Sequence, residues 1–322
     1  MPNCDTEWHE SMDRATVRRN VHIPDGFLST PVWAALDVAA APTAVYVASR
    51  AQKNFDPSRV PLLGVLGAFV FAAQMINFPV GPGTTGHLVG GALLAFTLGP
   101  AAASVVMMAI LSVQALVFQD GGILALGANT WNMALMGVLA GYLPFYLWSG
   151  TQWRRAAIFA GAALSVLVSA LLAVSELLIS GVPIAGTVLG ISLGLFLISA
   201  LLEGAITLAV VQALEKIQPK LVGRPAAGGS RALGALSLAA VLLATVGFLF
   251  ASTAPDGIAR LGEQSGLAAR VRTLLHTPLA NYQVAFVRSD YLGKAAAGLA
   301  GVALIFGACL LLGRAASNNR SL

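Results

Sequence analysis

The sequence predicts an all-α polytopic membrane protein, a compact bundle of about seven transmembrane segments followed by a two-helix hairpin at the C-terminus. Three observations carry that prediction. The first is composition: 57% of the 322 residues are hydrophobic and 10% are charged, with a mean hydropathy of +0.78, whereas soluble chains carry about a quarter charged residues. The second is the recurrence of apolar runs of roughly the 20 residues that cross a bilayer. The third is a concentration of Lys and Arg in alternate joints between those runs.

The elements follow in order. Residues 1–20, MPNCDTEWHESMDRATVRRN, form a polar head without an apolar core, which excludes a secretory signal peptide. Apolar runs then occupy 33–50, 60–78, 88–98, 100–118, 132–149, 156–179, 187–214, 233–252 and 295–313. The 88–98 run is short, a half-helix or a helix supported by its neighbours. Abundant Gly and Ala suit close helix packing through small side chains. Residues 21–214 read as one bundle with short joints, 215–232 (EKIQPKLVGRPAAGGSRA) as a Pro- and Gly-containing cytoplasmic linker, and 233–322 as a two-helix companion domain around a soluble extracytoplasmic loop at 253–294.

Charge orients the bundle. The formal net charge is +5, but the basic residues lie between apolar runs rather than in one patch. They therefore act as topology determinants, and no nucleic-acid surface is expected. Arg50, Lys53 and Arg59, then Arg154 and Arg155, then Lys216, Lys220, Arg224 and Arg231 fall in alternate joints, with Arg314 and Arg320 in the tail. With these joints cytoplasmic in a plasma membrane, the N-terminus is extracytoplasmic. The long joint at 253–294 is the exception, with Arg260, Arg270, Arg272, Arg288 and Lys294, and long loops translocate regardless of charge. Cys4 and Cys309 are too differently placed for a disulfide scaffold, and Cys309 reads as packing.

This orientation puts three stretches on the outer side: VHIPDGFL (21–28), PVGPGTTGHLVGG (79–91) and DGGILALGANTWNM (120–133). Each combines Gly or Pro, which permit or fix non-helical backbone, with polar groups. In a membrane protein such backbone is tolerated where protein or a cavity covers it. The three are therefore expected to converge on one pocket. Its histidines are His22 and His87, and imidazole nitrogen suits Ni, Co, Cu and Zn; helix capping or a loop hydrogen bond is the plainer use for each. His9 and His276 lie in the polar head and the long loop, where a structural role is expected. Asp25 and Asp120 precede glycine and suit caps or Asx-turns. Asn77, Asn129 and Asn132 lie at outer ends of apolar runs and, with Asp25, are candidates to orient a ligating imidazole. Glu176 and Glu203 are carboxylates inside apolar runs, suited to helix contacts or to transport chemistry.

HIPDGFL, NFPVGPGTTGHLVGG and FQDGGILALGANTWNM together resemble the membrane substrate-capture component of the cobalt and nickel energy-coupling factor transporters, over about 21–214. APDGIARL at 254–261 resembles the small companion component, whose extracytoplasmic loop begins with a PDG motif. The resemblance implies a helical bundle that binds Ni(II) or Co(II) outside and delivers it inward. The partners it implies are a coupling transmembrane subunit and two cytoplasmic ATPase subunits. No GxxxxGK[ST] phosphate loop occurs in this chain, so the ATPase is expected on other chains and this subunit is not expected to be an enzyme.

The resemblance also implies a near-planar nitrogen set: the amine of the initiating methionine, the backbone nitrogen and ring of the following histidine, and the ring of the GHL histidine. Here those histidines are His22 and His87, and a square nitrogen set suits Ni(II). The residue before His22 is Val21, preceded by twenty others. Either the extension is real and the fourth ligand is water, a side chain or a head group such as His9 or Cys4, or translation starts at 21, where a GUG codon would be read as methionine. The later start is the expectation adopted. Two readings from other classes stand beside transport: a metal-dependent membrane hydrolase, which has neither an evident nucleophile nor an HExxH motif, and a noncatalytic assembly subunit docking through 253–294.

Overall fold

The computed structural model describes residues 22–53, 56–219, 221–223 and 230–318. Among the described residues, eleven helices, several of them short, surround one small hairpin. In chain order they are α1 (Thr30–Lys53), α2 (Val60–Gln74), the hairpin β1 (Asn77–Gly81) and β2 (Thr84–His87), α3 (Gly91–Leu98), α4 (Pro100–Val113), α5 (Leu126–Asn129) and α6 (Val138–Trp148). Then come α7 (Arg154–Ile179), α8 (Gly186–Ile217), α9 (Ser230–Thr245), α10 (Gly257–Gln264) and α11 (Asp290–Asn318). Six described helical segments are long and apolar enough to cross a bilayer: Thr30–Lys53, Pro57–Gln74, Pro100–Phe118, Arg154–Ile179, Gly186–Ile217 and Asp290–Ser317.

Burial follows the apolar pattern. Every residue of α2 from Leu62 to Gln74 is buried, as expected of a helix that is apolar all round. It is wrapped by α9 and α11 on one side and the bundle on the other. Glycines set that packing distance. A Cβ on Gly67 would stand 3.0 Å from Cys309 Sγ, and one on Gly301 would stand 2.2 Å from the Phe71 ring. Cys309 is accordingly buried packing.

The short 88–98 run resolves into α3, whose eight residues rise only about 12 Å. It begins deep in the bundle beside the pocket-lining Val89. It ends where the Phe96 carbonyl accepts a hydrogen bond from Gly223 N–H, beyond the far end of α8. Before it, residues 77–87 form an antiparallel hairpin that pairs Asn77 with His87 and Phe78 with Gly86.

Two π-helical stretches interrupt the regular ladder, Gln114–Phe118 after α4 and Thr130–Gly137 between α5 and α6. π-Bulges are frequent at functional sites, and these two carry Gln114 and Asn132.

The 253–294 segment, expected as a soluble loop, packs on the three Gly- and Pro-rich stretches. Pro255 C=O accepts from Thr85 N–H at 2.9 Å, Asp25 C=O accepts from Arg272 N–H at 3.1 Å, and Tyr282 O–H donates to Asp120 at 2.6 Å. Gly262 of α10 sits on the Phe27 ring, where a Cβ would come within 2.3 Å.

Candidate metal centre

His22 enters the site from the turn preceding α1, and His87 from the last residue of β2. Their ring centroids are 5.9 Å apart at 78°. Both line a cavity of about 90 Å³ together with Asn129, Asn132, Ser169 and Asp256. The expected convergence of the three stretches is what this geometry displays.

Much of the hold on the segment carrying His22 comes from the 120–133 stretch. Asn129 grips Ile23 at both ends of its peptide: Ile23 N–H donates to Asn129 Oδ1 at 3.1 Å, and Asn129 Nδ2 donates to Ile23 C=O at 3.0 Å. Gly122 N–H donates to the same carbonyl at 2.9 Å. Asp25 accepts from Ile123 N–H at 3.0 Å, Leu124 N–H at 2.8 Å and Ala125 N–H at 3.3 Å. Burial raises the Asp25 pKa above the ordinary carboxylate range, against the lowering effect of those three donors. The two glycines are there for space. Gly121 has φ +93°, and a Cβ there would lie 3.0 Å from His22 Cβ; a Cβ on Gly122 would lie 2.2 Å from Asp25 Oδ1 and 2.5 Å from its backbone nitrogen.

His22 is buried, with Nε2 2.9 Å from Gln114 Oε1. Gln114 Nε2 donates to Gln74 Oε1 at 2.9 Å, and Gln74 Nε2 donates to Val89 C=O at 2.7 Å. His22 Nδ1 is buried and has no hydrogen-bond partner among the described residues. His87 Nδ1 lies 3.0 Å from the Leu88 carbonyl. Glu203, with no basic partner evident in sequence, accepts from Val89 N–H and Gly90 N–H, both at 2.9 Å, and so secures the GHLVGG turn. Glu176 accepts from Asn132 Nδ2 at 2.9 Å.

The structure thus brings His22, His87, Asn129 and Asn132 together. Asp25 turns away, onto the backbone at 123–125. The Asn77 side chain lines a neighbouring cavity with Asp120, Asn281 and Tyr282, so its link to the site is the main-chain pairing with His87. Val21, His9 and Cys4 lie outside the described residues. His276 is exposed in the long loop, away from the histidine cavity. No cluster of three or more His, Cys, Asp or Glu side chains suited to a metal occurs among the described residues.

Three residues of this neighbourhood were not picked out as site residues in the sequence. Gln74 and Gln114 sit inside apolar runs, and only their polarity at those positions marked them. Asp256 looked like part of a loop motif. In the fold its Oδ1 accepts from Ala259 N–H at 2.7 Å, capping α10, while the residue lines the histidine cavity. Burial pushes its pKa up to about 7.

Residues 22–221 match the family CbiM, the cobalt uptake substrate-specific transmembrane region. The chain belongs to the CbiM family. It is a membrane substrate-binding subunit of the nickel/cobalt energy-coupling factor type. Among similar proteins is the fused nickel transport protein NikMN of Rhodobacter capsulatus, 32% identical over 336 residues, covering 88% of this chain and 95% of that protein. The cobalt transport protein CbiM of Acetoanaerobium sticklandii is 34% identical over 208 residues, covering 62% of this chain and 86% of that protein. A crystal structure of a truncated transition metal transporter superposes with TM-score 0.55 at 35% identity, covering 61% of this chain and 99% of that one. The CbiM match ends near the end of α8, whereas the NikMN match spans most of the chain.

Proposed function

We propose that this CbiM-family chain captures Ni(II), with Co(II) as the alternative cargo, in the cavity between His22 and His87. It passes the ion inward when a coupling membrane subunit and two cytoplasmic ATPase subunits drive the transition. One observation carries the reading: two imidazoles from separate elements meet at 5.9 Å over a shared cavity, and one of them has a buried nitrogen that accepts no hydrogen bond from the described residues. Imidazole and main-chain nitrogens in a square array favour Ni(II) through geometry rather than raw affinity.

In this reading residues 21–214 form the capture domain, 215–232 the cytoplasmic linker and 233–322 the companion domain, and the chain hydrolyses nothing itself. The long alignment with a fused nickel transport protein supports that division. The N-terminus faces outward, and Val21 supplies the fourth nitrogen as the amine of a chain starting there.

Isothermal titration of the purified protein with Ni(II) tests the site. His22→Ala and His87→Ala should each abolish high-affinity binding, and wild-type affinity in both variants would refute the assignment. Metal content after mild purification, followed by competition between Ni(II) and Co(II), decides the cargo.

A further inference from the structure

The hydrogen-bond chain behind His22 has a fixed direction. Val89 C=O can only accept, so the group 2.7 Å away must be the Gln74 amide nitrogen. The Gln74 oxygen then faces Gln114 at 2.9 Å and must be approached by that residue's nitrogen. This turns the Gln114 oxygen toward His22 Nε2, also at 2.9 Å. An amide oxygen takes a proton and cannot give one, so Nε2 carries the hydrogen. A neutral imidazole protonated at Nε2 keeps its lone pair on Nδ1. That atom is buried with no partner among the described residues, on a residue lining the cavity shared with His87.

The anchor does not move freely. Val89 and Gly90 N–H are both held by the Glu203 carboxylate at 2.9 Å, so the carbonyl that sets the chain's direction belongs to a secured turn. Gln74 and Gln114 are themselves buried, and buried amides in an otherwise apolar helix interior are costly unless paired. Here each is paired on both sides of its amide.

We propose that Gln74 and Gln114 are positioning residues that lock His22 as the Nε2–H tautomer and so present Nδ1 to the cation. They couple the GHLVGG turn to the HIPDG turn, so the two histidine-bearing segments share one polar strut through the protein interior. The inference rests on the metal reading above for its function, while the tautomer is testable without metal.

The test uses the full chain, labelled with 15N-histidine, metal-free in lipid nanodiscs and observed by solid-state NMR, with the His22 signal assigned through its loss in His22→Gln. The expected result is a neutral His22 protonated at Nε2. Gln114→Met and Gln74→Met should each introduce the Nδ1–H tautomer while leaving the His87 signal in place, and should weaken Ni(II) binding by about tenfold or more, the usual cost of losing the group that orients a ligating histidine. A wild-type His22 protonated at Nδ1, or an unchanged tautomer in both variants, overturns the proposal. The Nε2–H tautomer together with wild-type Ni(II) affinity in His22→Ala upholds the amide chain and overturns the metal assignment instead.

Discussion

Replacing Asp25 with alanine removes the acceptor for three consecutive amides while leaving both histidines in place. The N–H groups of Ile123, Leu124 and Ala125 lie 3.0, 2.8 and 3.3 Å from its carboxylate. An N–H stranded in a buried place costs about 1–3 kcal/mol. Residues 123 and 124 are only half-buried, so water reaches those two, and the bond to the buried third amide is the longest. The lower end of the range therefore applies, giving about 3 kcal/mol for the set. Losing a desolvated carboxylate, whose burial already raises its pKa, returns about 1 kcal/mol. The net local destabilisation is about 2 kcal/mol, or about thirtyfold in an opening equilibrium. Hydrogen–deuterium exchange by mass spectrometry on a peptide spanning 119–129 reads this directly, with the amides at 123–125 expected to exchange about thirtyfold faster in Asp25→Ala. Asp25→Asn, which keeps one acceptor oxygen, should fall between the two. Wild-type exchange in Asp25→Ala would refute the argument that this carboxylate holds the 120–133 stretch to the His22 turn.

Other outcomes follow from the same geometry. Gly122→Ala should abolish Ni(II) binding in isothermal titration, because its Cβ would overlap the Asp25 backbone nitrogen at 2.5 Å; retained affinity would show that the turn can yield. Asp256 has a folded-state pKa raised from 3.8 to about 7 by burial, so its protonated form favours the docked loop. That contribution is fully present below the unfolded pKa and is lost as pH rises through about 7. Limited proteolysis within 253–294 should therefore be slower at about pH 6 than at about pH 8 in the metal-free protein. Asp256→Asn should flatten the dependence, and an equally steep profile in that variant would count against it. Intact mass of the natively expressed protein should correspond to a chain starting at 21, and a mass including residues 1–20 would place the fourth ligand elsewhere.

Much of the architecture was legible because bilayer crossing imposes a simple rule on sequence. A long apolar run must become a helix, since its backbone groups have no other partners in hydrocarbon. Runs such as 156–179 and 187–214 therefore predicted α7 and α8 closely. The 233–252 run was less faithful: α9 stops at Thr245, and a 3₁₀ turn follows at Gly247–Leu249. There Gly247 packs so tightly on Ile76 that a Cβ would come within 2.4 Å, a contact that hydropathy cannot register. The hairpin at 77–87 was visible only as non-helical backbone, because its pairing depends on what covers it.

The sequence by itself determined the class of protein, the three stretches rich in Gly and Pro and the two histidines worth following, because residue type and spacing carry that information locally. Only the tertiary structure decided that Asn129 grips the main chain beside His22, that Glu203 secures the second turn and that the PDG loop closes over the cavity. It alone also aligned Gln74 and Gln114 into a directed chain. Hydrogen bonds between residues 40 and 92 positions apart leave no periodic trace. Their direction is set by a carbonyl that can only accept.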